Sequence, residues 1–241
     1  MNWEKELDEI LSKTEGEVFE KATLQSLWKL MSKGYISSFD FPISTGKEGN
    51  VFRAKRDGEF VAVKIYRINT STFRNISKYL MYDSLYKVKK DRRSIIFAWA
   101  KKEFNTLKKL YDAGVRVPKP IANEGNVIVM EYIGSVSQAA PLLKNAAIEN
   151  AEYVFCKLAE YLRLMYKAGI VHADFSEYNV LIHDGEPVII DVGQTVGTDN
   201  PMAFEFLKRD VKNITKFFRK YISVDEESLF RYIVGEKDEI C

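Results

Sequence analysis

At 241 residues, with 46% hydrophobic and 29% charged side chains, the chain has the material for a substantial core, as one large domain or two lobes. No apolar run approaches the roughly eighteen residues needed to cross a bilayer, and the acidic start MNWEKELDEI lacks the apolar stretch of a secretory signal. The net charge of +2 conceals an uneven distribution, with 12 Lys/Arg against 3 Asp/Glu between Arg67 and Lys109.

In chain order, Phe19, Leu24, Leu27, Trp28 and Met31 recur at helical spacing, and Gly34 stands where that helix would stop. From Phe41 to Tyr66 three short runs, FPIS, NVFRA and FVAVKIY, alternate with glycine-containing turns and predict an antiparallel meander. Residues 67–94 show no sustained period and predict a long loop. Its cluster Lys87, Lys89, Lys90, Arg92 and Arg93, with Phe73, Tyr79, Tyr82 and Tyr86 interleaved, fits either a polyanion such as RNA or a solvated surface.

A helix is expected next, because Ile96, Trp99, Glu103, Leu107 and Leu110 share one face before Asp112-Ala113-Gly114. Strands at 120–122 and 126–132 follow, then an amphipathic helix carrying Ala151, Phe155, Leu158, Leu162 and Met165. Strands at 179–182 and 187–190 flank the turn His183-Asp184-Gly185. Asn200-Pro201 reads as a cap and first helical residue, with Phe204, Leu207, Val211, Ile214 and Phe217 as the buried face. The whole predicts an α+β, two-lobed plan with a hinge at 131–134. Its expected parts are an N-terminal helical extension (1–40), a sheet lobe (41–133) and a reduced helical lobe (134–241). Cys156 and Cys241 have no metal-like spacing and are expected as reduced thiols of a cytoplasmic protein.

Four features stand in a fixed order. The first is Ser44-Thr45-Gly46-Lys47-Glu48-Gly49-Asn50-Val51 between two expected strands. A Walker A loop needs Ser or Thr after the lysine and a helix beyond it; Glu48 and a strand exclude that. The form G-x-G-x-x-G-x-V, in which backbone N–H groups close over phosphates, fits better, with Ser44 at the first glycine. The second is Val61-Ala62-Val63-Lys64, which places an ammonium among strand residues that otherwise look buried and so calls for an anion. The third is Glu103, a carboxylate on an apolar helix stripe, where an unpaired charge is costly. Pairing Glu103 with Lys64 resolves both anomalies; local pairing with Lys102 or Lys108 is the alternative.

The fourth comprises His172-Ala173-Asp174-Phe175-Ser176-Glu177-Tyr178-Asn179 and Ile190-Asp191-Val192-Gly193. H-x-D-x4-N sets a carboxylate and a carboxamide on one loop. Asp174 can accept the proton of an attacking hydroxyl or water, while Asn179 and Asp191 offer hard oxygen ligands suited to Mg²⁺. His172 reads as structural and Glu177 as solvated.

At these residues the chain resembles the RIO family of atypical protein kinases, over roughly 22–221. STGKEGNVF is similar to that family's nucleotide loop, usually written with alanine at Gly49, and HADFSEYNVL and IDVGQ are similar to its catalytic and metal loops. Val192 and Gly193 favour the first RIO subfamily. The resemblance implies a protein-kinase-like fold, an antiparallel sheet plus one helix followed by a truncated helical lobe. It implies ATP with Mg²⁺ or Mn²⁺, Lys64 on the α- and β-phosphates, and Glu103 orienting it. Met130-Glu131-Tyr132-Ile133 would be the hinge, with the Glu131 carbonyl and Ile133 amide on adenine. Asp174 would be the base, Asn179 and Asp191 the metal ligands, and Asp191 a transient phosphate carrier.

Arg209-Asp210 would brace the catalytic loop, and Ser71, Thr72, Ser77, Ser84 or Ser94 would be self-phosphorylation sites. The implied activity is a serine/threonine kinase and ATPase in small-ribosomal-subunit maturation, touching rRNA and ribosomal proteins but neither DNA nor membrane. Ser176, where typical kinases place a lysine, the absence of an A-P-E motif, and Gly49, which would loosen the nucleotide loop, depart from the usual pattern. A small-molecule phosphotransferase of the aminoglycoside or choline kinase kind, and an ATP-gated ribosome- or RNA-binding module without turnover, are the competing readings.

Overall fold

The computed structural model describes residues 20–69 and 91–241. The expected self-phosphorylation residues Ser71, Thr72, Ser77 and Ser84, and most of the basic aromatic segment, lie outside the described residues. The chain divides into two compact units: residues 1–105 with 119–132, and residues 106–118 with 133–241.

The first unit is built on a five-stranded antiparallel sheet of order β1-β2-β3-β5-β4. Its strands are β1 (Ser38–Thr45), β2 (Gly49–Arg56), β3 (Glu59–Tyr66), β4 (Pro120–Glu124) and β5 (Val127–Glu131). The expected meander is β1 to β3, and Pro42 lies in edge strand β1 at a register irregularity, where its missing N–H breaks no central ladder. Helix α1 (Lys21–Ser32) buries Leu27 and Leu30, 0% and 1% exposed, in a cluster with Phe39, Phe52, Val63 and Val129. Each such leucine contributes about 1.5–3 kcal/mol by leaving water. Asn126, fully buried, ties this helix to the sheet: its Nδ2 donates to Thr23 Oγ1 at 2.8 Å and to the Tyr66 carbonyl at 2.6 Å.

Helix α2 (Arg92–Asp112) runs from the first unit into the second, changing at Asn105 and Thr106. It starts earlier than the expected loop would allow, because the Asp91 carboxylate accepts from the Ser94 N–H at 2.9 Å and caps its first turn. Ile96, Trp99, Glu103, Leu107 and Leu110 all lie buried, as their spacing predicts.

The second unit contains α3 (Ala151–Lys167), β6 (Ile170–Val171), β7 (Val180–His183), β8 (Glu186–Ile189), β9 (Val196–Gly197), α4 (Ala203–Phe218) and α5 (Glu226–Val234). Asn150 caps α3 by accepting from the Tyr153 N–H at 3.0 Å. Strands β7 and β8 form the expected hairpin, with Asp184 and Gly185 both at positive φ in its turn. Two expectations shift. Asn200 and Pro201 form a turn ahead of α4 rather than its first residues, with Asn200 Oδ1 accepting from the Met202 N–H at 2.8 Å. Phe204 is 51% exposed, packing edge-on against Phe230 instead of joining the core face.

The cysteine expectation is overturned. Cys156 on α3 and Cys241 are joined in a disulfide, their Cα atoms 6.1 Å apart across a sequence separation of 85. The tail folds back along α3, where the Arg163 Nη1 donates to the carbonyls of Lys237 and Asp238 at 3.2 Å each. A separation that long carries no local signature, so spacing could not have revealed it. Among the described residues no helix is long and apolar enough to cross a membrane.

Candidate active site

In the first unit the STGKEGNV segment is the β1–β2 hairpin, with Ser44 opposite Val51 and Thr45 opposite Asn50. The Gly46 N–H closes the turn on the Gly49 carbonyl at 3.0 Å. Asn50, 1% exposed, accepts from the Gly46 N–H at 3.4 Å and from Arg67 Nη2 at 3.3 Å, and the Arg67 N–H donates to the Glu48 carbonyl at 2.8 Å. Gly49 has a tighter reason than loop looseness. A Cβ there would stand 2.3 Å from the Ile65 carbonyl oxygen, so the glycine permits close approach of β2 to β3.

Lys64 sits mid-sheet on β3, opposite Val51 on one side and Ile128 on the other. Its Nζ donates to Glu103 Oε1 at 2.8 Å, with side chains 14% and 2% exposed, so the pair inferred from two unfavourable positions is formed. The Tyr66 hydroxyl donates to the other oxygen, Oε2. Motif reasoning missed Tyr66; the available signal was its place two residues after Lys64, on the same strand face. Met130 and Glu131 end β5, where the Glu131 N–H donates to the Lys119 carbonyl at 2.9 Å and Glu131 Oε2 accepts from the Lys119 N–H at 3.0 Å.

Ile133, Asp174, Asn179 and Asp191 belong to the second unit. Ile133 is buried, its carbonyl accepting from the Ala140 N–H at 3.0 Å. The loop bearing Asp174 is held from α4. Asp210, 0% exposed, accepts from the N–H groups of Ala173 at 2.7 Å and Phe175 at 2.8 Å, and the Arg209 guanidinium donates to the Ala173 carbonyl. Asn213 adds a bond to the Phe175 carbonyl at 3.3 Å. These donors and acceptors hold Ala173 at φ 64, a left-handed conformation costly for a residue with a Cβ. Asp191 also lies there, at φ 58.

The carboxamide Nδ2 of Asn179 donates to the Asp174 carbonyl at 2.7 Å, and the Ile190 N–H donates to the Asn179 carbonyl at 2.9 Å, so the two acidic loops are stitched together at Asn179. Because Nδ2 is spent on this bond, the Asn179 side chain keeps its oxygen as the atom able to serve a cation. Among the described residues no group of three or more His, Cys, Asp or Glu could hold a metal. A carboxylate plus one carboxamide oxygen suits Mg²⁺, which takes one or two protein oxygens and completes its shell with phosphates and water.

Electrostatics separate the neighbouring groups. Burial pushes the Asp174 carboxyl above the usual range, and the Asp191 charge adds to this, against Arg209 and Asn179. Asp210 is pushed up to about 7, by burial against the pull of its two backbone N–H donors. His172, 1% exposed and edge-on to Phe175 at 5.3 Å, is pushed down to about 4 by burial, which outweighs the Asp191 carboxylate and Ile190 carbonyl. The neutral imidazole packs there without a hydrogen-bond partner at either ring nitrogen among the described residues, so the structural reading rests on packing alone.

A family model described as the RIO domain matches residues 50–229, three quarters of the chain. The chain belongs to the RIO family. Among its relatives, a protein of Haloferax volcanii named RIO-type serine/threonine-protein kinase Rio1 is 46% identical over 230 residues, 94% of this RIO chain and 79% of that protein. The like-named protein of Methanocaldococcus jannaschii is 38% identical over 93% of this chain and 78% of its own length. The human serine/threonine-protein kinase RIO1 is 37% identical, and the match covers 85% of this chain and 37% of the human protein. Among solved structures, the Rio2 kinase of Chaetomium thermophilum aligns with a TM-score of 0.71 at 24% identity, over 89% of this chain and 69% of its own. The same kinase as an ADP/Mg²⁺-phosphoaspartate complex aligns with a TM-score of 0.68, over 88% and 66% respectively. At that identity the structural likeness establishes the fold, an α+β kinase-like one.

Proposed function

We propose that this RIO protein is an ATP- and Mg²⁺-dependent serine/threonine protein kinase, with hydrolysis of ATP as a second outcome of the same chemistry. The observation that carries it is the pairing of a strand lysine with a buried helix glutamate, Lys64 to Glu103 at 2.8 Å, in a chain that also braces the loop of Asp174 from α4. Lys64, oriented by Glu103, binds the α- and β-phosphates; the 44–51 hairpin covers them; the Glu131 carbonyl and Ile133 amide hold adenine. Asn179 and Asp191 hold Mg²⁺, which when bound neutralises charge on the phosphates.

Asp174 takes the proton from the attacking serine or threonine hydroxyl. Its raised pKa brings the base nearer to neutral pH, where proton transfer from a hydroxyl is less uphill. Asp191 is the residue on which a phosphoryl group would rest, by analogy with the phosphoaspartate of the Rio2 complex. The ribosomal setting comes from the family resemblance. The excess of 12 basic over 3 acidic residues between Arg67 and Lys109 agrees with an rRNA or ribosomal-protein surface, and a cytoplasmic location follows from that setting.

A single-turnover reaction with γ-labelled ATP tests the reading. Label appearing on protein, or as free phosphate, in the wild type but not in Asp174→Ala is the expected result. Absence of both products at every Mg²⁺ or Mn²⁺ concentration would end the catalytic claim and leave an ATP-gated binding module. Turnover driven by small hydroxylated compounds instead of protein would move the chain to small-molecule phosphotransfer.

A further inference from the structure

Tyr66 ends β3 and belongs to none of the four sequence features, yet it is 1% exposed and its hydroxyl donates to Glu103 Oε2. Strand alternation sets it on the face of Lys64. The Lys64 Nζ lies 5.0 Å from the Tyr66 ring centroid and donates to the opposite carboxylate oxygen, Oε1, at 2.8 Å. One strand therefore supplies a donor to each oxygen of a glutamate that is itself 1% exposed.

The backbone around Tyr66 is fixed from both sides. Its N–H donates to the Asn126 carbonyl at 3.0 Å, and its own carbonyl accepts from Asn126 Nδ2 at 2.6 Å. On the opposite edge it pairs with Gly49, where a Cβ would come within 3.0 Å of the Tyr66 Cα. The backbone of Tyr66 is thus anchored to the same hairpin that carries the proposed phosphate-covering turn.

A buried carboxylate draws strongly on whatever donors it has, and an ammonium has three hydrogens to distribute. A neutral hydroxyl on Oε2 takes part of the negative charge and stops rotation of the carboxylate, without adding a second cation. With the carboxylate held at both oxygens, the direction in which Oε1 holds the Lys64 ammonium is fixed. We infer that Tyr66 is a positioning residue for ATP, acting through Glu103 to set where Lys64 presents its charge; this rests on the role proposed above for Lys64. A tyrosine that only filled the core would act through its ring, and its hydroxyl would be immaterial to nucleotide affinity.

A double-mutant cycle on the full chain separates the two, with Mg·ATP affinity measured by calorimetry for wild type, Tyr66→Phe, Lys64→Met and the double variant. Phenylalanine keeps the ring volume, and a melting curve checks that the fold survives. The expected result is about tenfold weaker binding for Tyr66→Phe, from losing a hydrogen bond to a charged group. The same change should have little effect in the Lys64→Met background, because the residue through which it acts is gone. Unchanged affinity in Tyr66→Phe, or equal weakening in both backgrounds, would overturn the inference. If Lys64→Met alone left affinity intact, the role of Lys64 would fail first, and that of Tyr66 with it.

Discussion

The two units hold their charged groups by different physical means. In the first, Lys64, Tyr66 and Glu103 meet through side chains projected from regular strand and helix, and strand alternation and helical period already say which faces they share. In the second, Asp174 and Asp191 stand on irregular backbone, with Ala173 and Asp191 at positive φ, and the loop keeps its shape through bonds from Arg209, Asp210 and Asn179 to main-chain atoms. The lesson is that a charge on regular structure needs a partner, whereas a charge on a loop needs the loop itself to be built.

The largest expected effect separates chemistry from scaffold. Asp174→Ala removes the proposed base while leaving its braces in place, so γ-label transfer should fall about 10²- to 10⁴-fold with little change in stability. A large loss of stability would mean that Asp174 belongs to the framework. Glu103→Ala should do the reverse in the first unit. Removing one partner of a buried pair should cost about 3–5 kcal/mol in urea unfolding. A cost within experimental error would show that side-chain pairing is not what holds that unit's charges.

Next in size is the link between Cys156 and Cys241. Reduction should lower unfolding free energy by about 2–4 kcal/mol, read as a lower melting temperature with reductant. Thiol titration of the denatured, unreduced chain should find no free thiol among these two; finding both would restore the reduced state expected from sequence.

The smallest effect sharpens the account of the second unit. Asp210, at about 7 in the fold, retains a proton that the unfolded chain releases, so the stability it contributes at low pH is lost as pH rises towards about 7. His172, lowered from 6.5 to about 4, works oppositely: the unfolded chain binds the proton first, so stability is gained as pH rises from about 4 to 6.5. Each slope is at most about 1.4 kcal/mol per pH unit, and they oppose one another over most of that range. Asp210→Asn should uncover the His172 rise, seen as a stability difference from wild type that grows with pH and levels off near 7. A difference independent of pH would show that Asp210 does not carry the buried proton.

These contrasts track what was legible in the sequence. The meander, the buried face of α2 and the Lys64–Glu103 pair could be read because periods of 2 and 3.6 place side chains without knowledge of tertiary contacts. The acidic loops could be recognised as motifs, but how they are held could not. The bonds from Asp210 to Ala173 and Phe175 join residues 37 and 35 positions apart, beyond the reach of local pattern. Helix α5 escaped notice although Asp225 caps it and Gly235 ends it in a left-handed conformation, because only Leu229 and Ile233 of its nine residues are buried. Tyr66 was hidden by a simpler fact: a strand-end tyrosine looks like core until the hydroxyl has a partner.

The most direct test of the account is a titration of ATP with and without Mg²⁺ into wild type, Lys64→Met and Asp191→Asn. The account predicts at least about tenfold weaker binding for Lys64→Met in both conditions, from loss of a charge-assisted contact to phosphate. For Asp191→Asn it predicts weakening only when Mg²⁺ is present. Equal affinity of all three proteins for ATP, with Mg²⁺ and without it, would contradict the proposed roles of Lys64 on phosphate and Asp191 on Mg²⁺.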